Sequence, residues 1–156
     1  MNYFTKIAFA TATMIATTSV LAESAKSLKH AQKATENRQA IFSLLGSNMG
    51  PLGAMARGKL PLDAKTVETN ALRMNQLALM IADYNKVDTS GFKVKTEALD
   101  EVWKKPEDFA KRTEALIKAS AHLQTVAQSG DESAIKKAIS GVGRSCGGCH
   151  DNFKAE

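Results

Sequence analysis

Apolar residues recur every three to four positions in four separate stretches of the chain, the spacing of one helix face. The first stretch runs from about Ser24 to Asn48: Leu28, Ala31, Thr35, Arg38, Phe42, Leu45 and Met49 follow the spacing, and Ile41 and Leu44 widen the stripe. Gly46 weakens this helix, and Gly50-Pro51-Leu52-Gly53 is expected to stop it. The second helix opens behind Asp63, a good N-cap just after Pro61, and continues to about Tyr84 with Val67, Ala71, Met74, Ala78 and Ile81 on one face. A longer connection from Asn85 to Lys105 contains Asp88, Ser90, Gly91 and the only tryptophan, Trp103. The third helix opens at Pro106, with Glu107 and Asp108 placed to complement the helix dipole. Its inner stripe is Phe109, Thr113, Leu116, Ser120, Leu123 and Ala127. Ser129-Gly130-Asp131 breaks the chain, and Asp131 caps a fourth helix reaching about Phe153 on Ile135, Ile139, Val142, Cys146, Cys149 and Phe153. Four helices of about twenty residues, with two short loops and one long crossing, predict an all-α protein, an antiparallel four-helix bundle.

Composition agrees. With 156 residues, 24% charged and 44% hydrophobic, the chain suits one domain and is not a disordered one. Two cysteines exclude a multi-bridge secreted scaffold. The N-terminus stands apart: after Lys6, the run from Ile7 to Leu21 carries no charge and closes on Val20-Leu21-Ala22. This is the grammar of a secretory signal peptide over residues 1–22, cleaved after Ala22, rather than a membrane span, for which the run is too short and too rich in Thr and Ala. Cleavage leaves residues 23–156 as the domain, 134 residues with 20 Lys and Arg against 16 Asp and Glu, a formal charge of +4. Export through a bacterial inner membrane to the periplasm is expected. The basic residues are spread along the chain without interleaved aromatics, so nucleic acid is not an expected partner, and no membrane span is expected in the mature chain.

The fourth helix carries the chemistry. Cys146-Gly147-Gly148-Cys149-His150 is a C-x-x-C-H sequence, the attachment signal for c-type haem. On a helix, positions i, i+3 and i+4 project from one face. Cys146 and Cys149 can therefore anchor one edge of the macrocycle by thioethers, with the His150 imidazole beside them as axial ligand to iron. Gly147 and Gly148 leave no side chain between the anchors. Gly141 and Gly143 add to the helical glycines, each costing about 1 kcal/mol against alanine, so this helix is expected to depend on the attached haem. A thiol redox pair usually follows a strand in a βαβ unit, which the patterning lacks. A closed zinc site wants four ligands, and the only other histidines are His30 and His122, both expected to face water. One haem c is the expected cofactor.

A C-terminal C-x-x-C-H on the last helix of an exported four-helix bundle resembles the cytochrome c′ family. Arg38-Gln39, the run Asn48-Met49-Gly50-Pro51-Leu52-Gly53-Ala54-Met55-Ala56, Trp103 just before Pro106, and Gly141-Val142-Gly143 through Phe153-Lys154 carry the likeness. The resemblance implies haem held by Cys146 and Cys149, with His150 the only protein ligand to iron. It implies Arg38 and Gln39 near the haem propionates and Lys154 as a basic residue beside the proximal face. Phe42 matches the distal position above the iron, where low-spin relatives place a methionine; phenylalanine cannot bind iron, which implies five-coordinate, high-spin iron under a crowded apolar face. Met49 and Met55 are read as core fillers and Met74, in the inner stripe of the second helix, as a packing residue; Met80 lies on the same helix.

The implied function is binding of diatomic gases, nitric oxide and carbon monoxide, with participation in electron transfer; the alternative is a six-coordinate low-spin electron carrier. Dioxygen is disfavoured because Phe42 offers it no hydrogen bond. No enzyme activity is expected, since a peroxidase would need a distal acid–base residue that the first helix lacks beside Phe42. The redox partner is left open. The family often forms homodimers through the first two helices; Ile41, Leu44, Leu77 and Leu79 either make such a seam or widen the bundle core, and the sequence does not separate the two.

Overall fold

The computed structural model describes residues 22–155; the signal peptide expected over residues 1–22 lies almost wholly outside them. The described chain runs β1 (Glu23–Ser24), α1 (Leu28–Ala56), α2 (Ala64–Tyr84), β2 (Val87–Asp88), α3 (Glu101–Lys104), α4 (Pro106–Ala127) and α5 (Glu132–Phe153). The four long helices form a ring in the order α1, α2, α4, α5. Among the described residues, no helix is long and apolar enough to cross a membrane.

Side-chain contacts fix an alternating up–down register. Asn70 Nδ2 donates to the Asn48 carbonyl at 3.2 Å, setting α2 against α1. Asn75 donates to the Ile117 carbonyl at 2.9 Å, and Gln128 to Glu68 at 2.7 Å, so α4 runs opposite to α2. The rings of Phe109 and Phe153 meet edge-on with centroids 5.2 Å apart, and α5 runs opposite to α4. It follows that α1 and α5 are also antiparallel. A solid apolar core of Leu52, Val67, Leu123, Ile135, Ile139 and Val142 fills one end of the bundle, where α1 turns into α2 and α4 into α5.

The expected caps hold at three helices. Asp63 accepts from the Lys65 amide at 3.2 Å, Asp131 from the Ala134 amide at 3.0 Å, and Pro106 opens α4. The first helix departs from expectation at both ends. It begins at Leu28 behind the cap Ser27, whose hydroxyl accepts from the His30 amide, because residues 23–24 are drawn into a two-residue parallel pairing with Val87–Asp88. It also passes through Pro51 instead of stopping at Gly50–Gly53. Proline inside a helix costs about 3 kcal/mol. Leu52 and Met55 just beyond it are buried in the core, and each such burial contributes about 1.5–3 kcal/mol, which offsets the penalty. The helix ends where Gly58 takes φ 71°. There the Gly58 amide donates to the Met55 carbonyl at 3.0 Å and the Lys59 amide to the Ala54 carbonyl at 2.9 Å, a Schellman close that needs the left-handed conformation glycine supplies.

The crossing also has more order than expected, since it contains β2 and α3. Residues 97–99 pair with the end of α5: the Leu99 amide donates to the Phe153 carbonyl at 3.0 Å and the Ala155 amide to the Glu97 carbonyl at 2.7 Å. The tail of α5 is thus clamped to the crossing.

Two substitutions check the account of α1. Leu52→Ala is expected to lower the stability of the holoprotein by about 2–5 kcal/mol, read by guanidinium unfolding. Gly58→Ala is expected to cost about 1 kcal/mol for the left-handed backbone. A Leu52→Ala protein as stable as wild type would mean that the turn after Pro51 is not held by burial.

Candidate haem site

The C-terminal half of α5 forms one wall of a cavity of about 960 Å³, at the upper end of the ~300–1,000 Å³ common for ligand pockets. All four long helices contribute apolar wall: Phe42, Leu45 and Met49 from α1, Met74 and Ile81 from α2, Phe109 and Leu116 from α4, and Phe153 from α5. Cys146, Cys149 and His150 line it together, as their common helix face requires. Both thiols are half-buried and free. Burial pushes both above the usual thiol range; at Cys149 the neighbouring Cys146 adds to the rise and the Arg112 charge opposes it. Among the described residues no group of three or more His, Cys, Asp or Glu side chains is arranged to hold a metal ion by itself. Two thiols and an imidazole on one edge of a large apolar cavity fit a macrocycle anchored at that edge.

The antiparallel register places Phe42. The terminal methyl of Met49 lies 3.7 Å from the point where a Cβ on Gly143 would stand. Seven residues back along α1 is Phe42, and seven forward along α5 is His150; each step is about 10 Å, so the two are level across the pair. Phe42 lines the cavity and is 42% exposed, its ring forming cavity wall. Met49 belongs about 10 Å further along the helix. On α2, the Asn70–Asn48 contact puts Met74 about level with Leu44; Met74 is fully buried and also lines the cavity. Met55 is in the core and Met80 is exposed. His122 is exposed, and His30 is half-buried with its Nδ1 accepting the Lys26 amide at 3.2 Å.

The model for the family described as "Cytochrome C'" matches residues 33–154. The chain belongs to the cytochrome c′ family. It is 35% identical to the cytochrome c' of Halomonas halodenitrificans over 129 residues, 80% of this chain and 98% of that one. Its fold matches the solved cytochrome c prime of Shewanella frigidimarina with a TM-score of 0.74 at 36% identity, covering 81% of this chain and 97% of the other. It also matches a ferrous variant of cytochrome c prime from Alcaligenes xylosoxidans solved with bound NO, with a TM-score of 0.71 at 25% identity over 81% and 96% of the two chains. Like its family, the chain carries covalent haem c, and Cys146 and Cys149 are its only cysteines.

The remaining expected residues of this cytochrome c′ site all line the cavity, with a second set of ties among them. Arg38 is only 3% exposed. Its guanidinium donates to the Val87 carbonyl at 3.0 Å, to Thr35 Oγ1 at 3.1 Å and to Thr89 Oγ1 at 2.8 Å, and it lies 5.0 Å from the centre of the Trp103 ring. Burial holds its pKa below the ordinary arginine value, while Asp88 opposes that shift. Arg38 thus fastens α1 to the crossing. Gln39, exposed, donates to the Lys95 carbonyl at 2.9 Å, and Lys154 pairs with Glu97 at 3.1 Å. Trp103 donates through Nε1 to the Asn85 carbonyl at 3.2 Å. Sequence reading missed Arg112, which lines the cavity from α4 beside Cys149. On the helix pattern it falls next to the inner stripe, so only the packing of α4 on α5 reveals it.

Arg38→Gln is expected to destabilise the holoprotein, since each buried partner left unpaired costs about 1–3 kcal/mol. Arg38→Lys should not restore the loss, because lysine lacks the planar fork that serves three acceptors. Thermal unfolding of the three proteins, with protease cleavage of the 85–100 segment as local readout, checks this. An Arg38→Gln protein with wild-type stability and protease resistance would contradict it.

Proposed function

We propose that this protein is an exported, periplasmic haem c protein with one protein ligand to iron, His150, that binds nitric oxide and, more weakly, carbon monoxide on the side walled by Phe42. Its function is gas binding rather than catalysis, with participation in electron transfer. The observation that carries this reading is the level placement of Phe42 against His150. A phenyl ring offers iron no lone pair and offers a bound gas no hydrogen bond. Distal polarity and steric access decide what a haem binds; an apolar, crowded face disfavours dioxygen, which needs a hydrogen-bond donor, and leaves nitric oxide, which does not. The NO complex solved for the Alcaligenes xylosoxidans relative supports the same assignment.

Cys146 and Cys149 would hold the macrocycle edge, and the half-buried thiols fit that role. Gln39 and Lys154, at the cavity edge, would meet the propionates and the proximal face respectively. Arg38 would reach a propionate only through the part of its donor fork not already given to residues 35, 87 and 89. Cleavage after Ala22 would precede haem attachment, so the exported protein should have the intact mass of residues 23–156 plus one haem. We also propose a homodimer through α1 and α2, where Leu44 and Leu79 are 52% and 50% exposed. Ile41 does not serve it, being 5% exposed and part of the core, and Leu77 packs partly against that core.

Titration of the ferrous holoprotein with nitric oxide, followed optically, is expected to saturate at one equivalent per haem. Phe42→Met should place a thioether level with His150, convert the iron to low spin and weaken nitric oxide binding about tenfold or more, each tenfold being 1.4 kcal/mol. A wild-type protein that ignores nitric oxide overturns the proposal. The alternative, a six-coordinate electron carrier, would draw its ligand from Met74, the buried methionine close to that level. It takes over if the wild type is low-spin and Met74→Leu makes it high-spin.

A further inference from the structure

Arg112 is the cavity-lining cation that α4 contributes, and its position is fixed from two sides. One turn earlier on the same helix, Asp108 Oδ1 lies 3.7 Å from Arg112 Nε. Across the helix pair, Arg112 Nη1 stands 3.1 Å from the point where a Cβ on Gly148 would sit. The absence of a side chain at Gly148 therefore makes room for the guanidinium against the turn that bears both cysteines. By contrast, a Cβ at Gly147 would meet nothing within 4 Å. The two side chains of the ion pair are 41% and 42% exposed, so solvent weakens their mutual attraction without removing it. Of the other cations of the cavity wall, Arg38 is committed to residues 35, 87 and 89 and Lys154 to Glu97, while Arg57 and Lys95 line it from the end of α1 and from the crossing, away from the α4–α5 contact that holds Arg112.

We propose that Arg112, held between Asp108 and Gly148, is the charge that biases the haem attached at Cys149 toward its ferrous form, and that Asp108 limits the bias. Reduction adds one electron to the haem and lowers its charge by one unit, so a fixed cation near the attachment edge favours the product and a fixed anion disfavours it. Arg112 is a positioning residue in this scheme: it need not touch the iron, and it acts through the field it sets up at the Cys149 side. The proposal rests on haem attachment alone and is independent of whether iron has one or two protein ligands.

The test is a spectroelectrochemical titration at pH 7 of wild-type, Arg112→Gln, Arg112→Lys and Asp108→Asn holoproteins, with dithionite as electron donor and ferricyanide as acceptor. Arg112→Gln is expected to lower the ferrous-to-ferric ratio at a given potential about threefold, which is about 28 mV at 59 mV per tenfold for one electron. Asp108→Asn should move the midpoint the opposite way, and Arg112→Lys should keep most of the wild-type value. All shifts should shrink as ionic strength rises. A merely structural role for the pair predicts no shift, or shifts of the same sign in Arg112→Gln and Asp108→Asn; either result overturns the proposal.

Discussion

A four-helix bundle that admits a macrocycle must hold its helices apart over half their length, and the rest of this structure answers to that constraint. The fully buried large apolar side chains gather toward one end, around Leu52, Val67, Leu123, Ile135 and Ile139. At the other end the helices surround a cavity of about 960 Å³. That end is closed by polar ties together with the apolar packing of Ile41, Ile81, Val102, Phe109 and Phe153. Arg38 binds α1 to the crossing through Val87 and Thr89, β1 lies alongside Val87–Asp88, and residues 97–99 clamp the tail of α5. The same crossing residues thus hold both the N-terminal segment and the haem-bearing helix.

The division also explains why α1 runs through Pro51. A helix stopped at Gly50 would take Leu52 and Met55 out of the solid core, the half of the bundle that has no cofactor to fill it. Continuing to Ala56 keeps both buried, and Gly58 then reverses the chain. Elsewhere on α1 small residues face the cavity, Gly46 and Gly50 among them; the glycines that looked like helix breakers border the cofactor site.

Most of the fold was legible in the sequence because its signals are local. Asp63, Pro106 and Asp131 open helices through bonds or dihedrals spanning three residues, and the C-x-x-C-H spacing places three side chains on one face wherever that helix sits. What was not legible depends on partners distant in sequence. Arg38 reads as a stripe residue or a propionate contact, and only its neighbours 49 and 51 residues away show it to be a fastening. Ile41 could have widened the core or served a partner chain and is core, a choice that stripe width alone does not make because it does not say which edge of a helix is covered. Arg112 falls outside the inner stripe of α4, and its importance appears only with Gly148 beside it.

The central claim is that iron in this protein has His150 on one side and only the Phe42 ring level with it on the other. Electron paramagnetic resonance of the ferric wild-type holoprotein at neutral pH tests it most directly. The account predicts an axial high-spin signal with no substantial low-spin component. A rhombic low-spin signal from the bulk of the iron would contradict it, for it would mean that a second side chain reaches the metal past Phe42.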